Sequence, residues 1–253
     1  MQRYFVEHYE RTKELDEITI FDQDIIHHMR NVMRMAIDDK CILMIEQEPY
    51  QVKVLQLDKE SICCRIISRI HEQTELTVDV TMAFGLSKGD KPELIIQKCT
   101  ELGANAFIPL NSERTIVKLN HKKEKKRIDR YVKVASESSE QSYRHRIPTI
   151  HNVQSLSNFS LTDYDLVIVA YEETVKSNQS YTHLSQLRQQ IQSSTSVLCI
   201  TGPEGGFTSS EIDQLQQHDH VMTVGLGRRI LRAETAPIYM MSVLSYMLEA
   251  NDC

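Results

Sequence analysis

Val197-Leu198-Cys199-Ile200-Thr201-Gly202-Pro203-Glu204-Gly205-Gly206-Phe207 is the stretch that decides the fold, because an apolar run passes directly into a turn rich in glycine. The run reads as a buried strand, and Thr208-x-x-Glu211 just beyond it is the capping box of a helix. Three glycines and a proline between them make a tight turn through which backbone can approach a ligand closely. In open α/β sheets this carboxyl edge is where ligands bind. A merely structural turn is the other reading. A Walker phosphate loop is excluded, since Gly-Lys-Ser/Thr is missing, so the turn is not built for a polyphosphate.

A second turn of the same kind follows, Val224-Gly225-Leu226-Gly227-Arg228-Arg229-Ile230-Leu231-Arg232-Ala233-Glu234-Thr235-Ala236-Pro237, again after a short strand and before a helix. Thr235 suits an N-cap, and Pro237 is tolerated in a first turn, where no amide donor is needed. Gly225-Leu226-Gly227 lacks the third glycine of a dinucleotide fingerprint. Three arginines and a glutamate here can hold an anionic substrate and polarise a base, or form surface salt bridges.

Working outward, strands are predicted at Leu76–Phe84, Ala106–Leu110, Asp165–Ala170, Val197–Thr201 and His220–Val224. Helices are predicted at Pro92–Leu102, Ser209–Gln217 and Thr235–Glu249. Their alternation signals a mostly parallel sheet covered by helices. The last helix carries Met240, Met241, Val243, Leu244, Tyr246, Met247 and Leu248 on more than one face, so it is expected to be buried all round, within the monomer or against a partner. Before residue 73 the pattern differs. Short runs at Cys41–Ile45, Gln51–Leu57 and Ser61–Ile67, separated by turns such as Glu46-Gln47-Glu48-Pro49 and preceded by a helical stretch Asp24–Arg34, suggest a small β-barrel. The expected domains are therefore residues 1–72, β-rich, and 73–253, α/β.

The chain has 253 residues, 41% hydrophobic and 25% charged, the composition of a globular protein of one or two domains. No run approaches the roughly 18 apolar residues of a membrane span, and the opening MQRYFVEHYERTKELDE lacks the apolar segment of a secretion signal. A cytoplasmic protein is expected. Six cysteines, Cys41, Cys63, Cys64, Cys99, Cys199 and Cys253, form no C-x-x-C and mostly sit in apolar runs, as small buried hydrophobes do. His27-His28 and His218-Asp219-His220 are not completed by neighbouring ligands, so no metal is expected. The net charge of −6 argues at first against nucleic acid, but residues 114–146 carry 11 basic and 4 acidic side chains. That block includes His121-Lys122-Lys123-Glu124-Lys125-Lys126-Arg127, followed by Ile128, Tyr131, Val132 and Ala135 on one predicted helix face. It reads equally as a solvated helix face or as a phosphate-binding surface.

Taken together, Gly202-Pro203-Glu204-Gly205-Gly206-Phe207 and Leu226-Gly227-Arg228-Arg229-Ile230-Leu231-Arg232-Ala233-Glu234-Thr235-Ala236 resemble the paired signature of the RsmE family of ribosomal RNA methyltransferases, within the SPOUT class. Further matches are His28 with Val32-Met33-Arg34, Lys88-Gly89-Asp90-Lys91, Ile96-Gln97-Lys98-Cys99-Thr100-Glu101-Leu102-Gly103, Ser112-Glu113-Arg114 and Glu140-Gln141-Ser142-x-Arg144. The sequence departs from the family's usual pattern in the β-rich segment, with Ala36-Ile37-Asp38-Asp39 in place of a Gly-Asp turn and Ile45-Glu46-Gln47-Glu48 in place of an Asp-Gly hairpin.

The resemblance implies a PUA-like β-barrel followed by an α/β trefoil-knot methyltransferase domain, a homodimer, S-adenosylmethionine as cofactor, and methylation of N3 of a uridine in 16S ribosomal RNA, free or in the assembled small subunit. Expected cofactor contacts are Gly202, Pro203, Glu204, Gly205, Gly206, Leu226, Gly227, Ile230, Leu231, Thr235 and Ala236. Arg232 is expected to stabilise charge on the uracil, with Glu234 orienting it or accepting the proton. RNA contacts are expected from Arg114, Arg144 and the basic run Lys122, Lys123, Lys125, Lys126 and Arg130, and from Arg30 and Arg34 by the family motif. The rival readings are a SPOUT enzyme acting on ribose 2′-OH or guanine, and a catalytically inert RNA-binding assembly factor.

Overall fold

A computed structural model describes residues 1–172 and 182–249, so Cys253 lies outside the described residues. The chain forms two compact units, Met1–Thr74 with Glu140–Arg146, and Glu75–Ser139 with the residues from Ile147 onward.

The first unit is a six-stranded sheet of β1 (Arg3–Phe5), β2 (Tyr9–Thr12), β3 (Glu17–Ile20), β4 (Lys40–Ile45), β5 (Glu48–Leu57) and β6 (Ile62–Arg69), in the order β1-β4-β5-β6-β3-β2. Only β1 pairs in parallel, with β4. Register shifts within β5, between Gln51 and Val52 and between Val54 and Gln56, bend that long strand. Ile18, Ile20, Leu43, Val52, Val54, Ile62 and Cys64 fill its core. The stretch predicted as one helix from Asp24 to Arg34 is shorter: a helix Gln23–His27, capped by the Asp22 carboxylate on the amides of Asp24 and Ile25, widens into a looser turn over His28–Val32. His28 meets the Tyr4 hydroxyl through Nδ1 at 3.2 Å.

Two features of this unit are not evident from the sequence pattern. First, β4 and β5 are joined by Glu46 and Gln47 with φ of 51° and 65°, a left-handed pair of the kind that hairpins usually assign to Asn-Gly. Second, the segment Glu140–Arg146 returns to it. Arg3, only 2% exposed, donates through Nη1 to the carbonyls of Tyr143 and Arg144, at 2.5 and 3.0 Å, and lies over the Tyr143 ring.

Among the described residues the second unit holds seven parallel strands: β7 (Asp79–Gly85), β8 (Ala106–Asn111), β9 (Thr149–Ile150), β10 (Gln154–Ser155), β11 (Leu166–Ala170), β12 (Ser196–Thr201) and β13 (Val221–Val224). The order is β10-β8-β7-β12-β11-β13, with β9 beside β8. β12 thus lies between two strands made earlier in the chain. Alternate residues face opposite layers, as the period of a strand requires. Val80, Met82, Phe84, Val197 and Cys199 pack with the helices Lys91–Glu101 and Thr235–Glu249, while Ala83, Leu198 and Ile200 pack with Ile212 and Leu215 of the helix Ser209–Leu215. Cys99 and Cys199 are buried in the first of these layers, and burial alone pushes the Cys199 thiol up to about 12. The five described cysteines are free.

One residue of a predicted helix face needs correction, and the last helix is open along one stripe of the single chain. In the helix His121–Gln141 the buried positions are Tyr131, Val134, Ala135, Ser138 and Ser139, with Ile128 packed against the core, and of the expected face only Val132 departs, at 46% exposed. The helix Thr235–Glu249 is not buried all round in this chain. Pro237, Met240, Met241, Leu244, Ser245, Met247 and Leu248 form a broad inner face, while Tyr239, Ser242 and Tyr246 form an outer stripe, with Tyr246 70% exposed. The polar tip of tyrosine makes that exposure cheaper than the apolar count of the helix suggested.

Candidate functional site

β12 ends at Thr201, and the turn that follows is folded back by a hydrogen bond from the Gly206 amide to the Pro203 carbonyl at 2.9 Å. Gly206 has φ +67°, where only glycine avoids a steric penalty. Gly85, at the end of the adjacent β7, backs the turn so closely that a Cβ there would lie 2.2 Å from the Pro203 nitrogen. The turn is also clasped from outside. Arg114 Nη1 donates to the Gly205 carbonyl at 3.0 Å, and the Glu113 amide donates to Glu211, whose other oxygen completes the capping box with Thr208. The second loop turns at Gly227, φ +93°, and the Arg232 carbonyl accepts from the amides of Thr235 and Ala236, which starts the next helix.

These two loops and the end of β11 enclose a cavity of about 420 Å³. Its walls are Ala170, Tyr171 and Glu172; Thr201, Gly202, Pro203, Glu204, Gly206 and Phe207; and Leu226 through Ala233 with Ala236. Gly202, Pro203, Glu204, Gly206, Leu226, Gly227, Ile230, Leu231 and Ala236 are thus brought together as the sequence motifs group them. Gly205 and Thr235 are outside the lining: Gly205 faces Arg114 and Thr235 begins the helix. Backbone and small apolar walls of this size suit a flat heteroaromatic ring, with a few polar groups to orient it.

One lining residue was missed. Lys91 comes from the start of the helix Lys91–Glu101, and its Nζ lies 2.9 Å from Glu204 Oε1 and 3.5 Å from Glu234 Oε2. The hydrogen bond to Glu204 raises the Lys91 ammonium above its ordinary value, against partial desolvation and with help from Glu234. Burial pushes the Glu204 carboxyl up, but Lys91 and the amides of Glu204 and Lys88 outweigh it and hold it below its ordinary value. Arg232 lines the cavity too, yet its side chain is 84% exposed and its Nη1 is 3.9 Å from Glu234 Oε1. The only sequence signal for Lys91 was its place in the Lys88-Gly89-Asp90-Lys91 motif.

The expected RNA contacts divide. Lys122, Lys123, Lys125, Lys126 and Arg130 are exposed on the helix His121–Gln141, and Lys123, Lys126 and Arg130 line a cleft with Lys118 and Arg127. Arg34 is exposed and Arg30 half-buried in the first unit. Arg144 requires correction: it is 3% exposed, so its guanidinium is not presented to solvent as a phosphate contact must be. His220, one of the clustered histidines, spends Nε2 on the Leu161 carbonyl at 3.0 Å.

A parallel α/β sheet whose carboxyl edge carries two glycine loops around one cavity, joined to a separate β unit, is the arrangement expected of a SPOUT-class methyltransferase with a PUA-like domain. The comparisons agree. The RNA methyltransferase domain family matches residues 74–245, and the RNA methyltransferase PUA domain matches residues 21–67. Ribosomal RNA small subunit methyltransferase E of Bacillus subtilis is 41% identical over 98% of both chains. A Legionella pneumophila structure solved with the cofactor SAM superposes with a TM-score of 0.82 at 25% identity, covering 98% of this chain and 97% of that one. The Neisseria gonorrhoeae ribosomal RNA small subunit methyltransferase E structure shares the fold at a TM-score of 0.80 and 24% identity, over 96% of each. This chain belongs to the ribosomal RNA small subunit methyltransferase E family, RsmE.

Proposed function

We propose that this protein transfers a methyl group from S-adenosylmethionine to N3 of a uridine in 16S ribosomal RNA, free or within the small subunit. The observation that carries the reading is the convergence of the two family signatures, 24 residues apart between Gly202 and Leu226, on one cavity whose lining residues Lys91 and Glu204 join Glu234, just outside the lining, in an acid–base cluster. The cavity fits the cofactor: its volume is in the range of small-molecule sites, and left-handed Gly206 and Gly227 open its walls. When bound, S-adenosylmethionine supplies the electrophilic methyl. Gly202, Pro203, Glu204, Gly206, Leu226, Gly227, Ile230, Leu231 and Ala236 hold its purine and ribose, and Gly205 and Thr235 keep the two loops in shape.

The chain's other task is the uracil. N3 is a poor nucleophile while it carries its proton, and the negative charge that forms on deprotonation spreads to the flanking carbonyl oxygens. Glu234 takes that proton, and the solvent-facing Arg232 guanidinium meets the spreading charge as it develops. Arg114, Lys122, Lys123, Lys125, Lys126, Arg130, Arg30 and Arg34 contact the RNA, with the phosphate charge supplying affinity. The protein works as a homodimer, for which the outer stripe of Tyr239 and Tyr246 on an otherwise buried helix is the support. Among the described residues no helix is long and apolar enough to cross a membrane, and a cytoplasmic site of action follows from a ribosomal substrate.

The test is incubation with labelled S-adenosylmethionine and either naked 16S RNA or small subunits, then digestion to nucleosides and mass spectrometry. N3-methyluridine is the expected product. A mark on ribose or guanine replaces this reading with another SPOUT activity, and failure to bind the cofactor replaces it with an inert assembly factor. A monomeric mass by light scattering at micromolar concentration overturns the dimer.

A further inference from the structure

Lys91 stands where helix electrostatics disfavour it. It is the first residue of the helix Lys91–Glu101, and a cation there opposes the positive end of the macrodipole. What it gains instead is contact with two carboxylates from two different loops, Glu204 at 2.9 Å and Glu234 at 3.5 Å. Glu234 needs such a neighbour: its side chain is 15% exposed, and Oε2 is shielded from solvent without accepting a hydrogen bond. A carboxylate withdrawn from water requires a counter-charge to stay in place. Arg232 is a weaker candidate for that service, since it is farther away and mostly in solvent.

We propose that Lys91 is a positioning residue for methyl transfer: bridging Glu204 and Glu234, it holds at the cavity mouth the carboxylate that takes the uridine proton. The inference rests on the function proposed above and deepens it. In the step served, the N3–H bond breaks, the proton forms an O–H bond on Glu234, and the electron pair stays on N3. The bridge to Glu204 matters at that moment. When Glu234 becomes neutral, the ammonium keeps one full counter-ion, so proton uptake leaves no stranded charge. An ammonium paired with Glu234 alone would oppose the same step. The raised Lys91 ammonium keeps its own proton throughout, which suits a clamp and not a base.

The experiment compares wild type, Lys91→Met, Lys91→Arg, Glu234→Gln and the double variant Lys91→Met/Glu234→Gln. Single-turnover methylation, with naked 16S RNA and with small subunits, and calorimetric affinity for S-adenosylmethionine are measured, and a wild type counts as inactive only if it modifies neither. Lys91→Met is expected to slow transfer about 10²-fold while the cofactor Kd stays within about threefold, and Lys91→Arg to recover to within about tenfold of wild type. Because Lys91 acts through Glu234, adding Lys91→Met to Glu234→Gln should cost less than about threefold more. The proposal is overturned if the full loss persists on the Glu234→Gln background, if Kd worsens as much as the rate, or if Lys91→Met is as fast as wild type. An inactive wild type sinks the functional reading, and the clamp with it; an active wild type with an indifferent Lys91→Met sinks the clamp alone.

Discussion

The two units reach left-handed backbone by opposite means. All eight glycines lie between Gly85 and Gly227, in the α/β unit, and the β unit's residues 1–74 contain none. Around the cavity, Gly206 and Gly227 supply φ of +67° and +93°. In the β sheet, Glu46 and Gln47 adopt 51° and 65°, and Asp38 adopts 74°. A left-handed residue with a Cβ costs roughly 1–2 kcal/mol, which a surface hairpin tolerates when the strands on either side are well paired. A loop that must present bare backbone to a ligand cannot make the same exchange, because the side chain itself would fill the space. Glycine here serves close approach at Gly85, against the Pro203 backbone, and left-handed backbone at Gly206 and Gly227, while the β unit makes its left-handed turns without it.

That contrast can be broken by experiment, and the most severe trial is Gly85→Ala. Its methyl would run into the Gly202–Pro203 backbone, so calorimetry should find no measurable S-adenosylmethionine binding while circular dichroism still reports a folded chain. Normal affinity would mean the turn yields freely and glycine is not needed behind it. Next in size is chemistry without shape: Glu234→Gln should lower single-turnover methylation by about 10²-fold or more and leave cofactor affinity near wild type. Near-normal turnover at saturating cofactor would move the base elsewhere. Gly206→Ala should cost about 1–2 kcal/mol in urea denaturation, from strain at φ +67°. The smallest effect has the opposite sign. Gln47→Gly should stabilise the protein by about 1 kcal/mol or less, with cofactor affinity unchanged, and destabilisation there would contradict the idea that the hairpin merely tolerates its residues.

Legibility in the sequence followed the same division. The five longer strands of the α/β unit were readable because buried parallel strands are continuous apolar runs, whereas the two-residue β9 and β10 carry no such run; β12, β13 and the helix Thr235–Glu249 lie within a residue of their predicted ends. The cavity walls were readable because each is a local motif. Lys91 and Gly85 were not readable as site residues, since each meets the turn across more than 100 residues and no local pattern reports such a meeting. Arg144 was misread for a related reason: a charged side chain is expected in water, and only the return of Glu140–Arg146 explains why this one is buried. On the helix His121–Gln141 only Val132 was placed on the wrong side, because it fits the helical period as well as its buried neighbours Tyr131 and Ala135 do.

The return of Glu140–Arg146 also governs the order in which the protein can be made. Arg3 emerges from the ribosome among the first residues, yet the carbonyls it binds, those of Tyr143 and Arg144, are about 140 positions behind it. At 5–20 residues per second, the interval between Thr74 and Arg146 is roughly 4–14 s. During that time Arg3 waits without the two carbonyls of Tyr143 and Arg144, while β7, β8 and the helix Lys91–Glu101 are already out and able to pair. An amino-terminal fragment ending at Thr74 should accordingly be less resistant to proteolysis than the same residues in the full chain, and adding a peptide of residues 140–146 should restore part of the difference.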